Sequence, residues 1–149
     1  MRFATFSAPS SEPQPGLVVD GRIHPLPFAD MRAVIEAGAE TAARLASDSP
    51  LFLGEGSDVR LHAPLKPASL RDAYAFEQHV KTANQNRGRD VPEGWYKFPV
   101  FYYTNHASIF GPGEDVPCPP YTAELDYELE IAVVVGKAGI DLTPESAAE

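Results

Sequence analysis

The sequence predicts an α+β fold in which a small hairpin-and-helix unit precedes a larger sheet-bearing domain. Three observations carry this. Asp20-Gly21 divides two short apolar runs, the signature of a tight β-hairpin. Residues 31–46, MRAVIEAGAETAARLA, place Met31, Val34, Ile35 and Leu45 on one side of a helix. Residues 125–136, LDYELEIAVVVG, form the longest strand pattern in the chain. A length of 149 residues suits about one domain and is enough to bury a core.

The elements follow in order. Residues 2–6 and 17–26 suggest a small β unit, with the polar stretch SAPSSEPQPG between them as a surface loop. Both central residues of an Asp-Gly type I′ turn need positive φ, which suits this pair. Asp30 is placed to cap the helix at 31–46, and Gly38 weakens that helix. LFLGEGSDVRLHAPL (51–65) reads as short extended pieces around a turn at Gly54 and Gly56. Pro64 and Pro67 bracket a boundary, which divides the chain into 1–66 and 67–149. A second helix is expected from Ser69, with Asp72 in its first turn, to a stop by Gly88. FPVFYY (98–103) reads as a strand and GPGEDVPCPP (111–120) as a loop. Thr143-Pro144-Glu145 has the grammar of a helix start: cap, proline, acid. So little sequence follows it that the chain reads as the front part of a longer protein.

Charge and cysteine content narrow the function classes. A net charge of −9 argues against nucleic acid and anionic membrane surfaces as partners, because both need a basic footprint. No apolar run approaches the ~18 residues of a membrane span. A single cysteine, Cys118, excludes an intramolecular disulfide and fits a reducing compartment. The first residues lack a signal-peptide apolar core, so a cytoplasmic protein is expected.

Two stretches carry candidate chemistry. On an extended 125–136, Asp126, Glu128 and Glu130 share one face about 6.6–7 Å apart, and Tyr127, Leu129, Ile131 and Val133 share the other. Like charges this close raise one another's pKa unless a positive group neutralises them. A hard divalent cation held by oxygen ligands does so, and Mg²⁺ or Ca²⁺ both fit. A half-exposed strand with its acidic face in water is the competing reading. In LRDAYAFEQHVKTANQNRG, a helix would place Asp72 and His79 within about 20° of each other beside its apolar stripe. Inward-facing groups of this kind need partners, which a metal and a catalytic role would supply. A core-edge histidine bonded to a carbonyl, and an acid facing the helix dipole, are the plain structural alternatives.

Taken together, Asp72-x-Tyr74-x-Phe76-x-x-His79, FPVFYY, GPGEDVPCP and LDYELE ending in VVVGK resemble the fumarylacetoacetate hydrolase family over residues 67–149. The resemblance implies a mixed β-roll, a homodimer when complete, and a divalent cation, Mg²⁺ or Ca²⁺ with Mn²⁺ as an alternative. It implies a small dicarbonyl or 2-oxo acid as substrate. Asp72, Glu128 and Glu130 match metal-ligand positions and His79 the general base. Tyr74 and Tyr102 match substrate-contacting tyrosines, and Arg87 and Arg89 straddle the position of a basic residue. Asp126 matches no ligand. The implied reaction is C–C cleavage of a 1,3-dicarbonyl acid, with His79 activating water and the cation stabilising the enolate. Hydratase, decarboxylase or isomerase action on a 2-oxo acid stays open, as does a non-catalytic cation-binding fragment. The resemblance places a further metal carboxylate, a lysine and an acid orienting the histidine beyond position 149, so this polypeptide alone is expected to be inactive.

Overall fold

The computed structural model describes residues 1–148 as a mixed α+β protein with antiparallel sheets and few helices. It divides into two compact units, Met1–Leu65 with Phe110–Glu149, and Lys66–Ile109.

The first unit is built on a five-stranded antiparallel sheet. Its strands are β1 (Arg2–Ser7), β2 (Gln14–Val19), β3 (Arg22–Pro25), β4 (Leu51–Phe52) and β5 (Arg60–Leu61), in the order β4-β3-β2-β1-β5. The β2–β3 hairpin turns at Asp20 (φ 45°) and Gly21 (φ 70°), as a type I′ turn demands, and pairs Val19 with Arg22. The loop expected at 7–16 is shorter, because Ser7 and Gln14–Gly16 are drawn into β1 and β2. Phe6 and Ile23 are fully buried, and they pack so closely over Gly16 that a Cβ there would lie 2.5 Å from Ile23 Cγ1.

The helix expected over 31–46 is two short helices, α1 (Met31–Ala37) and α2 (Ala39–Arg44). Gly38 separates them at φ 83°, a conformation costly for any residue with a Cβ. Its N–H bonds to the carbonyls of Val34 and Ile35, closing α1, and its carbonyl accepts from Ala42, opening α2. Asp30 caps α1, its carboxylate accepting from Ala33 N–H at 2.9 Å. Met31, Val34 and Ala42 join Leu26 in the core, with Phe3, Leu17 and Leu65 against it. Leu45 and Ile35, expected on the apolar side, are exposed. Leu45 is the residue that ends α2, outside its regular turns.

A loop clasp completes this unit. Glu114 accepts from Gly111 N–H at 2.7 Å and from Arg60 on β5 at 2.8 Å. Gly111 sits directly on the backbone of His62 and Ala63. The carboxyl of Glu114 is held below the usual carboxylate range, first by the Gly111 N–H and then, against the opposing effect of burial, by Arg60.

The strand expected at 125–136 is absent: this segment carries no ladder hydrogen bonds assigned as strand. Leu129, Ile131 and Val133 are 94%, 83% and 86% exposed. The alternation is present in the sequence, but a strand exists only through a neighbour that satisfies its backbone, and among the described residues none pairs with it. The helix start at Thr143 forms as expected. In α4 (Pro144–Ala147), Thr143 and Ser146 cap each other in a capping box.

In the second unit the helix expected from Ser69 gives way to a strand, β6 (Leu70–Ala73), followed by α3 (Glu77–Gln85). β6 pairs antiparallel with β7 (Phe101–Thr104), which lies three residues beyond the start expected at 98. Pairing supplies β7 with the partner that a helix at 69–76 would deny it. α3 closes at Asn86, and Gly88 (φ 64°) turns the chain away. No helix among the described residues is long and apolar enough to cross a membrane.

Candidate active site

Asp72, Tyr74 and His79 are positioned by β6 and the turn into α3. On β6, Leu70 and Asp72 face one way and are half-buried, while Arg71 and Ala73 face the other and are exposed. Asp72 stands opposite Tyr102 across the ladder. Arg71 stands opposite Tyr103 and lies 3.9 Å over its ring, a cation–π contact. The expectation that Asp72 and His79 share one helical face is therefore corrected. Asp72 is on a strand and His79 is in the first turn of α3.

What joins strand to helix is an aromatic contact. The Tyr74 ring meets the His79 ring edge to face, with centroids 5.4 Å apart and planes at 86°. Tyr74 is tied down at both backbone groups. Its N–H donates to the Val100 carbonyl at 3.0 Å, and its carbonyl accepts from the Trp95 indole N–H at 2.9 Å. His79 is solvent-exposed and not turned inward as expected, because the buried face of α3 is carried by Val80.

The start of α3 is held by charge. Glu77 accepts from Lys81 at 2.9 Å and from the Tyr96 hydroxyl at 3.0 Å. The Lys81 hydrogen bond, then the Tyr96 hydroxyl, lowers the Glu77 pKa, while Glu77 raises those of Lys81 and Tyr96.

Arg87 and Arg89 flank Gly88 just past α3, both exposed, with their backbone N–H groups bonded to the Asn84 carbonyl. Tyr102 is exposed on β7. Glu128 and Glu130 are exposed on the 125–136 segment, and Asp126 accepts from the next residue's N–H at 2.8 Å. Asp72 belongs to one compact unit and Glu128 and Glu130 to the other. Among the described residues, no three His, Cys, Asp or Glu side chains are gathered into a metal-binding group. The donor chemistry still suits a hard cation, since all three candidates are carboxylates.

Two other histidines serve as local hydrogen-bonding groups. His24 Nδ1 bonds the Ser47 carbonyl and His62 Nε2 the Ser7 hydroxyl, each at 2.8 Å. Sequence reasoning missed Trp95 and Tyr96. The Glu77–Lys81 spacing is legible as an i,i+4 pair. The 21-residue reach from Trp95 to Tyr74 leaves no local pattern.

Residues 69–149 match the family described as fumarylacetoacetate (FAA) hydrolase, C-terminal. The chain is 33% identical over 113 residues to oxaloacetate tautomerase YisK of Bacillus subtilis, covering 73% of this chain and 36% of that protein. It is 32% identical over 152 residues to the mitochondrial oxaloacetate tautomerase Fahd2a of Rattus norvegicus, covering 93% of this chain and 46% of that one. Fumarylacetoacetate hydrolase domain-containing protein 2 of Pongo abelii is 44% identical over 115 residues, covering 73% and 33%. The chain thus spans between a third and a half of the length of these relatives. With more than half of its residues inside the match, and with the Asp72–Tyr74–His79 pattern set at a strand–helix junction, this chain belongs to the fumarylacetoacetate hydrolase family.

Proposed function

We propose that the protein acts on a small 2-oxo or dicarbonyl acid by moving a proton to or from a carbon or water adjacent to the carbonyl, with His79 as the base. The observation that carries this reading is the exposed His79 ring in edge-to-face contact with Tyr74, two residues along the chain from Asp72. Keto–enol tautomerisation is the reading the relatives favour, since two of them carry the name oxaloacetate tautomerase. In it His79 takes a proton from the carbon beside the 2-oxo group and the carbonyl oxygen gains one. C–C hydrolysis is the second reading, favoured by the retention of Asp72 together with His79. There the same base takes its proton from water.

Asp72, Glu128 and Glu130 are the residues that would hold Mg²⁺ or Ca²⁺, or Mn²⁺. When bound, the cation stabilises negative charge on the enolate oxygen. The hydroxyls of Tyr74 and Tyr102 orient the substrate, and Arg87 or Arg89 meets its carboxylate. The mixed β-roll, the division at 66/67, a homodimer and a cytoplasmic location remain part of this proposal. The net charge of −9 supports a small-molecule substrate over nucleic acid or membrane.

The test uses the full-length protein from its source, with Mg²⁺, on enol oxaloacetate and on an acylpyruvate, both followed by ultraviolet absorbance. Loss of enol signal with conserved total oxaloacetate supports the tautomerase, and cleavage of the acylpyruvate supports the hydrolase. In either case His79→Ala is expected to lower kcat by about 10²–10⁴. Calorimetric Mg²⁺ titration of Glu128→Gln and Glu130→Gln is expected to show weakened binding. Cation binding without turnover of either compound would leave a binding module and end the enzyme reading.

A further inference from the structure

A third element, the single 3₁₀ turn Glu93–Tyr96, is bonded to both sides of the Tyr74–His79 contact. Its two aromatic residues reach to opposite sides of the junction between β6 and α3. Trp95 Nε1 donates to the Tyr74 carbonyl at the end of the strand, at 2.9 Å. Tyr96 donates through its hydroxyl to Glu77 at the start of the helix, at 3.0 Å. The two rings brace each other edge to face, with centroids 4.9 Å apart and planes at 90°. Only Ala75 and Phe76 separate the two anchored residues. Phe76, the residue that caps α3, has no side chain able to do so, and no side-chain cap bond is made there. The direction of the first helical turn is therefore set from outside, through Glu77, and His79 lies in that turn.

We infer that Trp95 and Tyr96 are positioning residues, which hold the Tyr74 and His79 rings in their edge-to-face geometry. This rests on the reading of His79 as the base. Losing the indole N–H frees the Tyr74 carbonyl, and losing the Tyr96 hydroxyl leaves Glu77 Oε1 held only by Lys81, on α3 itself. Either change lets the strand end and the helix start swing relative to each other. A base needs its ring within hydrogen-bond reach of the proton it takes, so a small swing lowers turnover, and the displaced Tyr74 hydroxyl holds the substrate less well. A purely structural role would lower the melting temperature and leave the geometry of the folded protein unchanged.

The experiment uses the full-length protein with Trp95→Phe, which keeps a ring and removes the donor. Tyr96→Phe, which removes only a hydroxyl, serves as the milder second variant. The first readout is the NMR position of the His79 ring protons, which the facing Tyr74 ring displaces. Tyr74→Leu provides the reference for a missing ring, and His79→Ala assigns the signal. The second readout is kcat/KM. The expected result is a His79 resonance moved from its wild-type position toward that of Tyr74→Leu, with kcat/KM lowered about fivefold, the equivalent of one lost hydrogen bond. A His79 resonance that stays at its wild-type position in both folded variants overturns the inference. Unchanged turnover in His79→Ala overturns instead the role of His79 as base. The NMR readout does not depend on that role, so the two failures are distinguishable.

Discussion

Replacing Gly111 by alanine tests the clasp that holds the 111–114 loop to β5. A Cβ at this position would lie 2.7 Å from Ala63 N and 2.9 Å from both Cα and C of His62. All three neighbours are backbone atoms of the segment that continues β5, so none can rotate aside. To reach ordinary contact the loop must retreat by roughly 0.7–1 Å. That retreat lengthens the 2.8 Å bond from Arg60 on β5 to Glu114 on the loop to the edge of hydrogen-bonding range or past it. Overpacking against an unyielding wall costs about 1–3 kcal/mol. For a chain of this size it lowers Tm by roughly 2–4 °C for each kcal/mol. Gly94→Ala is the control, because a Cβ there meets nothing within 4 Å and Gly94 has no positive φ. It is expected to be neutral or to stabilise by about 0.4–1 kcal/mol through the unfolded chain. Both variants are melted by circular dichroism, and amide exchange is followed across residues 110–114. A Gly111→Ala protein that melts with wild type and protects these amides equally would refute the close packing inferred for the loop.

Two further perturbations bear on the same unit. Asp30→Ala removes the cap of α1, whose carboxylate accepts from Ala33 N–H, and is expected to cost about 1 kcal/mol in urea unfolding. Asp30→Asn should retain most of that stability, and an equal loss in both variants would remove capping as the cause. The clasp is also pH-dependent, because the folded-state pKa of Glu114 is depressed, chiefly by the Gly111 N–H. Its contribution is present above the ordinary carboxylate pKa and is lost as pH falls through the lowered folded value. Protection factors at residues 110–114, exchange corrected for its intrinsic pH dependence, should therefore fall more steeply on acidification from about pH 6 to about pH 3 in wild type than in Glu114→Gln. Equal slopes would mean that the carboxylate does not hold the loop.

Where a few adjacent residues decide the conformation, the sequence alone was enough. The Asp20-Gly21 turn, the Asp30 cap and the Thr143 cap all form at the residues that signal them. Each rests on a φ preference or on a side chain reaching its own backbone within three residues. The candidate residues Asp72, Tyr74 and His79 were legible too, but only as a pattern of residue types. Whether Leu70–Ala73 is helix or strand depends on Phe101–Thr104, some thirty positions on, whose backbone it satisfies. The same dependence explains 125–136. Its alternation is plain, yet no strand forms there because its hydrogen bonds need a neighbour that the described residues do not supply. Gly38 shows the converse: helical spacing ran through 31–46, but one residue at φ 83° was enough to divide it. The Trp95 and Tyr96 brace was decided by tertiary structure alone. Hydrogen bonds spanning 21 and 19 residues follow from how the chain closes on itself, and no local periodicity encodes them.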